Sequence, residues 1–226
     1  MNQLVSVIIP AFNESQFIGE TLETLSKSPW VDEIIVVDDG SSDGTSKVAK
    51  RWTEHVVVHQ KNQGKGKALM TGVDSSTGSI LMFLDADLGE SVQFASRLLA
   101  PIFDYEADMT IAVLPPAKNK GGFGLVKGLA EKSIYWLTGY KTKAPLSGQR
   151  ALRKTLMESV SLVEGFGIEV GLTIDALRKG YRVSEIEVPF LHRETGRDLP
   201  GFIHRGKQFI SISNTIGKKM MERIYD

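Results

Sequence analysis

The chain has 226 residues, with 27 Lys and Arg against 27 Asp and Glu and no cysteine. A net charge of zero gives no bulk field to draw it to nucleic acid or to an anionic membrane, and without cysteine there are no disulfides or thiolate metal sites. A length of this size suits one large domain that hides roughly 70–75% of its unfolded surface. No run approaches the ~20 apolar residues of a membrane span, and Leu4 to Ile9 is too short for the apolar core of a signal sequence and follows no basic segment. The expectation is a soluble, cytoplasmic chain.

Short β-branched runs alternate with helix-period segments, the pattern of a mostly parallel α/β sheet flanked by helices. "VSVIIP" reads as the first strand, and after Asn13, a suitable N-cap, Ile18, Leu22 and Leu25 recur at helical spacing through Lys27. "DEIIVVDD" is the second strand and "GSSDGT" its turn; "HVVVH" is the third, with His55 and His59 read as structural, and "GKGKALMTGV" opens a helix. "SILMFLDAD" is the fourth strand, followed by a helix from about Ser91 broken near Pro101 and by a fifth strand, "DMTIAVL". Residues 1–114 are regular βα units, whereas 115–226 mix Gly-rich loops, helices and one more strand in "YRVSEIEVPF".

In an open α/β sheet, ligands bind beyond the carboxyl ends of the strands. Three strands here end in polar groups, "PAFNE" (10–14), "DDGS" (38–41) and "DAD" (85–87), and all three ends fall on one rim. If the fourth strand persists to Asp87, alternation points Asp85 and Asp87 to the same side. A hard divalent cation with oxygen ligands would relieve their repulsion and hold a diphosphate. The "GKG" segment is not a phosphate-binding fingerprint, because it lacks the third glycine of one motif and the Ser or Thr of the other.

"SVIIPAFNE", "DEIIVVDDGSSDGT", "NQGKGKAL" and "FLDADL", in this order over residues 5–88, resemble the nucleotide-binding half of family-2-type glycosyltransferases with the GT-A (Rossmann-like) fold. The resemblance implies a single GT-A domain over 1–226, with 1–114 as the nucleotide-sugar half and 115–226 as the acceptor half. It implies that Pro10, Ala11, Phe12 and Glu14 line the nucleotide pocket and that Asp39 reads the base edge. Lys65 would reach donor phosphate or ribose, Asp85 and Ala86 would face ribose or sugar, and Asp87 would ligate Mn2+ or Mg2+. In the second half, "PLSGQRAL", "GFGIEVGLTIDAL" and "VPFLHRETGRDLPGF" resemble glucosyl-3-phosphoglycerate synthases and polyprenyl- or dolichol-phosphate sugar synthases. By that likeness Leu146, Ser147, Gly148, Glu169 and Arg193 take the acceptor, Glu169 orients or deprotonates its hydroxyl, and His192 completes the metal shell.

The implied activity is metal-dependent transfer of a hexose from a UDP- or GDP-sugar, UDP-glucose by preference, to a phosphate- or carboxylate-bearing acceptor. That acceptor is a small molecule or a lipid phosphate. The segment "LPPAKNKGG" lacks the arginines with which phosphoglycerate-type enzymes grip their acceptor. "FGLVKGLAEKSIYWLTGYKTK" reads instead as an amphipathic helix with Leu125, Leu129, Trp136 and Tyr140 on one face beside Lys127 and Lys132. Phe209, Ile212, Ile216 and Met220 form a second stripe in the tail. The first stripe is open to packing on the sheet or to an acceptor- or membrane-facing role, and the second to packing on the domain, to a homodimer or to peripheral contact with anionic lipid. A sugar-nucleotide pyrophosphorylase would carry a Gly-rich basic loop where "PAFNES" stands, and a non-catalytic nucleotide-binding module would be expected to have lost Asp87 or Glu169.

Overall fold

The computed structural model describes residues 3–115, 124–160, 167–191 and 213–219. Seven strands form one sheet: β1 (Val5–Ala11), β2 (Glu33–Asp38), β3 (Val56–Val58), β4 (Ile80–Phe83), β5 (Met109–Val113), β6 (Arg150–Arg153) and β7 (Val183–Glu187). Their order is β3-β2-β1-β4-β6-β5-β7. The β3-β2-β1-β4 block is parallel, as is β5-β7, and β6 runs antiparallel between β4 and β5. The sheet thus crosses from the first half of the chain into the second without a break. Its helices are, in chain order, α1 (Ile18–Ser26), α2 (Thr45–Ala49), α3 (Lys65–Ser75), α4 (Ala100–Phe103), α5 (Gly124–Thr138), α6 (Lys154–Ser159) and α7 (Ile168–Arg178).

Alternation along β1 divides the core. Val5, Val7 and Ile9 face α1 (Ile18–Ser26) and a 3₁₀ stretch (Gly89–Leu98), while Ile8 joins the opposite layer with Leu69 of α3 (Lys65–Ser75) and Leu172 of α7 (Ile168–Arg178). A strand covered on both faces has no need of polar alternation, so all four residues of β4 are apolar and buried. A third cluster lies around α5 (Gly124–Thr138), where Ala130, Ile134 and Leu137 meet Val170 and Ile174 of α7 and Ile216 of the helical run 213–219.

Several local expectations change. Asn13 does not cap α1; it sits at φ 58, and the helix begins after a turn, with Phe17 at its N-cap. Its side chain is used locally, its Oδ1 accepting the Ser42 amide at 2.9 Å. β4 ends at Phe83, so Asp85 and Asp87 lie past the strand and strand alternation does not align them. Thr21 shapes this turn from α1: its buried hydroxyl donates to Ala86 O and accepts the Gly89 amide, both at 2.8 Å. The helix expected from Ser91 is a 3₁₀ stretch, with Pro101 in the first turn of a separate short helix (Ala100–Phe103), where its missing N–H costs little. On α5, Leu129 packs inward and Trp136 points out, 64% exposed, so the two do not share a face. Of the tail stripe, Ile216 packs in the α5 cluster, and Phe209, Ile212 and Met220 lie outside the described residues.

Candidate active site

The rim is organised first by backbone donors. Asp38, buried at the end of β2, accepts the amides of Ser41 at 2.8 Å and Ser46 at 2.9 Å and so folds the "GSSDGT" turn around itself. That turn in turn clamps the loop after β1. Ser41 Oγ and Thr45 Oγ1 each accept an amide, from Asn13 and Glu14, at 2.9 Å, and Asp43 Oδ2 accepts that of Ser15 at 3.0 Å. Burial pushes the Asp43 carboxyl up, but hydrogen bonds from Thr45 and Ser15 outweigh it and hold the group down to about 2. Within the clamped loop Ala11 is buried, Pro10 and Glu14 are half-buried, and Phe12 stands 46% exposed at the mouth.

Asp39 is 3% exposed. Its Oδ1 accepts from His59 Nδ1 at 2.7 Å and from the Gln63 amide at 2.9 Å, and its Oδ2 accepts the Gly64 amide at 2.7 Å. Those two amides immediately precede Lys65, the first residue of α3. Asp39 therefore fixes where α3 begins, and His59, held on its other nitrogen by Thr71 Oγ1 at 3.0 Å, braces Asp39. Close approach of the two loops requires Gly40: at φ +78, a β-carbon there would stand 2.6 Å from the Lys61 backbone carbon.

Lys65 Nζ lies 2.7 Å from Asp85 Oδ1 and 3.7 Å from Glu169 Oε1, joining the end of β4 to the first turn of α7. Burial pushes this ammonium down, but the Asp85 and Glu169 carboxylates outweigh burial and raise it, so Lys65 is charged across the physiological range. The other oxygen of Asp85 is bonded by the Gln149 amide. Gly148 leaves the space above: a β-carbon on it would lie 2.5 Å from Lys65 Nζ and 3.6 Å from Glu169 Oε1. Beneath, Arg150 is buried in β6, with Nε on Ser147 O and Nη1 on Thr173 Oγ1, both at 2.8 Å, and no partner on Nη2 among the described residues. Burial pulls it down to about 10, partly countered by Glu169 and Glu185.

Of the residues singled out in the sequence, Lys65, Asp85, Gly148 and Glu169 converge. Leu146 is half-buried against the α5 cluster, Ser147 is 7% exposed with its hydroxyl on Gln149, and Ala86 is buried. Asp87 is half-buried in the turn after β4. His192 and Arg193 lie outside the described residues. Gln149, Arg150, Thr21 and the bracing role of His59 were not anticipated. An arginine inside the apolar run of "QRAL" was the available signal for the second of these, since a charge buried in a strand implies polar partners.

The family described as glycosyl transferase family 2 matches residues 6–154, more than half of the chain. The chain belongs to that family. It is a glycosyltransferase, and among solved structures its fold is similar to that of glucosyl-3-phosphoglycerate synthase from Mycobacterium tuberculosis. The form with phosphoglyceric acid gives a TM-score of 0.83 at 26% identity, covering 96% of this chain and 80% of that one. A form with Mn2+, UDP-glucose and phosphoglyceric acid gives 0.79 at 27%, with the same coverage. In sequence the chain is 30% identical over 193 residues to the glucosyl-3-phosphoglycerate synthase of Mycolicibacterium smegmatis, covering 76% of this chain and 63% of that protein. An uncharacterized protein of Methanocaldococcus jannaschii is 28% identical over 239 residues, covering 98% and 93%. The glycosyl transferase family 2 match ends at β6, so α7 and Glu169 lie beyond it.

Proposed function

We propose that the chain transfers glucose from UDP-glucose to an acceptor bearing a phosphate or carboxylate, in a reaction that uses Mn2+ or Mg2+. The observation that carries this reading is the Lys65 ammonium held between Asp85 and Glu169 at the strand-end rim, within a family whose similar crystal structures contain UDP-glucose, Mn2+ and phosphoglyceric acid. Asp39 supports uracil over guanine. Three of the about four acceptor positions of a carboxylate are taken by His59 and two amides. The one left matches the single ring N–H of uracil better than the paired donors of guanine.

The donor set fits a hard cation only in part. Asp87 offers carboxylate oxygen, and no group of three or more His, Asp or Glu converges among the described residues. The ion would therefore take Asp87 and the donor's diphosphate oxygens, and when bound it would offset the charge that develops on the leaving diphosphate. Lys65 supplies the same stabilisation from the protein, already oriented and charged before the donor enters. The bond from the anomeric carbon to the diphosphate breaks, the acceptor oxygen bonds to that carbon, and the acceptor gives up a proton. Glu169, 13% exposed beside Lys65, is placed to orient the acceptor hydroxyl or take that proton.

A thermal-shift screen of nucleotide sugars with and without manganese tests the donor. At 100 times its dissociation constant a ligand of the native state stabilises it by about 2.7 kcal/mol. UDP-glucose with manganese should give the largest shift, and no shift with any UDP- or GDP-sugar would reject the reading. A lipid-phosphate acceptor is a second reading, favoured by Tyr135 and Trp136, which stand 52% and 64% exposed on α5 near Lys132 and Lys141. Aromatic rings bordered by lysines suit an anionic membrane interface. Co-sedimentation with anionic vesicles, lost in Trp136→Ala, would favour that acceptor; no co-sedimentation would leave the small acceptor alone.

A further inference from the structure

Eight of the eleven residues of α7 are buried, so the helix is covered on more than its sheet face. The sheet side packs through Ile168, Leu172 and Ala176. The opposite side is covered by α5 and by the helical run 213–219, which touches α7 at three levels. Ahead of the first turn, Thr215 occupies the space where Gly167 would carry a β-carbon: one built there overlaps the Thr215 hydroxyl and stands 2.7 Å from its Cβ. At the middle, Ile216 packs with Val170 and Ile174. Near the end, Lys219 Nζ lies 2.8 Å from Asp175 Oδ2, with side chains 2% and 8% exposed, and Arg178 Nη1 donates to Lys219 O at 2.9 Å.

A buried ion pair is costly to assemble and costlier to break, because losing one partner strands the other charge away from water. It therefore fixes the relative placement of two elements more than it adds net stability. The N-terminal turn of α7 has no side-chain cap bond, so the contact at Gly167 is the tail's hold on the end of the helix that carries Glu169.

We propose that the run 213–219 is a strap that positions Glu169. By docking at Gly167, Ile216 and the Asp175–Lys219 pair, it sets the depth and rotation of the first turn of α7, and with them the 3.7 Å approach of Glu169 to Lys65. Thr215 and Lys219 are positioning residues that act through the helix. The inference rests on the reading of Glu169 as the acceptor-side carboxylate. Displacement of a reacting group by about 1 Å costs about 10²-fold in rate, so a small movement of this helix would register in turnover.

The contact at Gly167 provides the test. Its φ of −93° accepts a β-carbon without backbone strain, so Gly167→Ala acts through Thr215. With UDP-glucose, manganese and phosphoglycerate, Gly167→Ala should lower kcat by about 10- to 100-fold while the donor dissociation constant stays within about twofold. The double variant Gly167→Ala/Thr215→Gly, which removes the obstructing side chain, should recover most of that loss. Hydrogen exchange at the amides of 168–171, which needs no substrate, should quicken in the single variant and slow again in the double. An unchanged kcat, unchanged exchange, or a double variant as impaired as the single would each overturn the strap. If circular dichroism shows that Gly167→Ala does not fold, Ile216→Ala loosens the strap without adding bulk. A fall in its kcat at unchanged donor affinity supports the proposal, and an unchanged kcat overturns it. Glu169→Gln is assayed alongside: if it leaves turnover intact, the role given to Glu169 fails, while the exchange data still decide the strap.

Discussion

The two halves of the rim hold their acidic groups by different means. At and after the end of β2, Asp38, Asp39 and Asp43 are bound mainly by backbone amides of loops up to about thirty residues away, and each carboxylate shapes a turn. Around Lys65, Asp85 and Glu169 are held by side chains, those of Lys65 itself and of Gln149, which lie as much as 104 residues away in the chain. Amides fix a carboxylate through the main chain, and the fix survives most side-chain changes. An ion pair lasts only while both charged side chains remain in reach, so the cluster around Lys65 is expected to be far more sensitive to single substitutions.

Lys65→Ala should give the largest effect. On the role proposed for Lys65, it strips a preorganised cation from the diphosphate and leaves Asp85 and Glu169 without it, so turnover should fall by about 10²–10³-fold in steady-state assays. A drop below about tenfold would mean that the metal carries the charge and would break the contrast between the halves. Asp87→Ala should remove the manganese-dependent part of donor binding with the melting temperature little changed, as read by calorimetric titration with and without manganese. An equal gain in donor affinity from manganese in the parent and in the variant would show that Asp87 does not hold the ion.

Gly148→Ala sharpens the same side without touching a charge. The new methyl must displace Lys65 Nζ, 2.5 Å away, and turnover should drop by about tenfold or more. Just after the end of β2, Asp39→Asn should act on stability as well as on donor affinity, since Asp39 is the group proposed to meet the base. An amide nitrogen in place of one oxygen faces a donor, Gly64 N–H or the His59 and Gln63 pair, and the mismatch should cost about 1–3 kcal/mol in denaturant melts.

The smallest effect is expected at the exposed Asp43. Its folded value of about 2 lies below its ordinary 3.8, so the folded chain binds fewer protons than the unfolded chain between those limits. Its contribution is therefore complete above about pH 4 and is lost as the pH falls through about 2. The melting-temperature gap between the parent and Asp43→Asn should close over that window. A gap that persists below it would show that Asp43 acts by packing instead of charge.

Sequence alone determined six of the seven described strands, all but β6, and their polar ends. Short apolar runs rich in β-branched residues favour strands buried in a sheet, and "PAFNE", "DDGS" and "DAD" follow them at fixed offsets, so the rim and the roles offered for Asp39, Lys65, Asp85 and Glu169 could be written down from local pattern and family likeness. Only the tertiary structure decided what those groups touch. β6 enters the sheet between β4 and β5 from 67 residues beyond β4, as the span from Phe83 to Arg150 requires, and in doing so brings Gln149 to Asp85 and Gly148 over Lys65. "QRAL" is too short for its period to announce a strand, and nothing in its spacing names its neighbours. The Asp175–Lys219 pair is equally silent, because a lysine reads as a solvated residue until folding removes the solvent around it. Local preference is written residue by residue, whereas desolvation and charge pairing depend on which distant segments the sheet brings together.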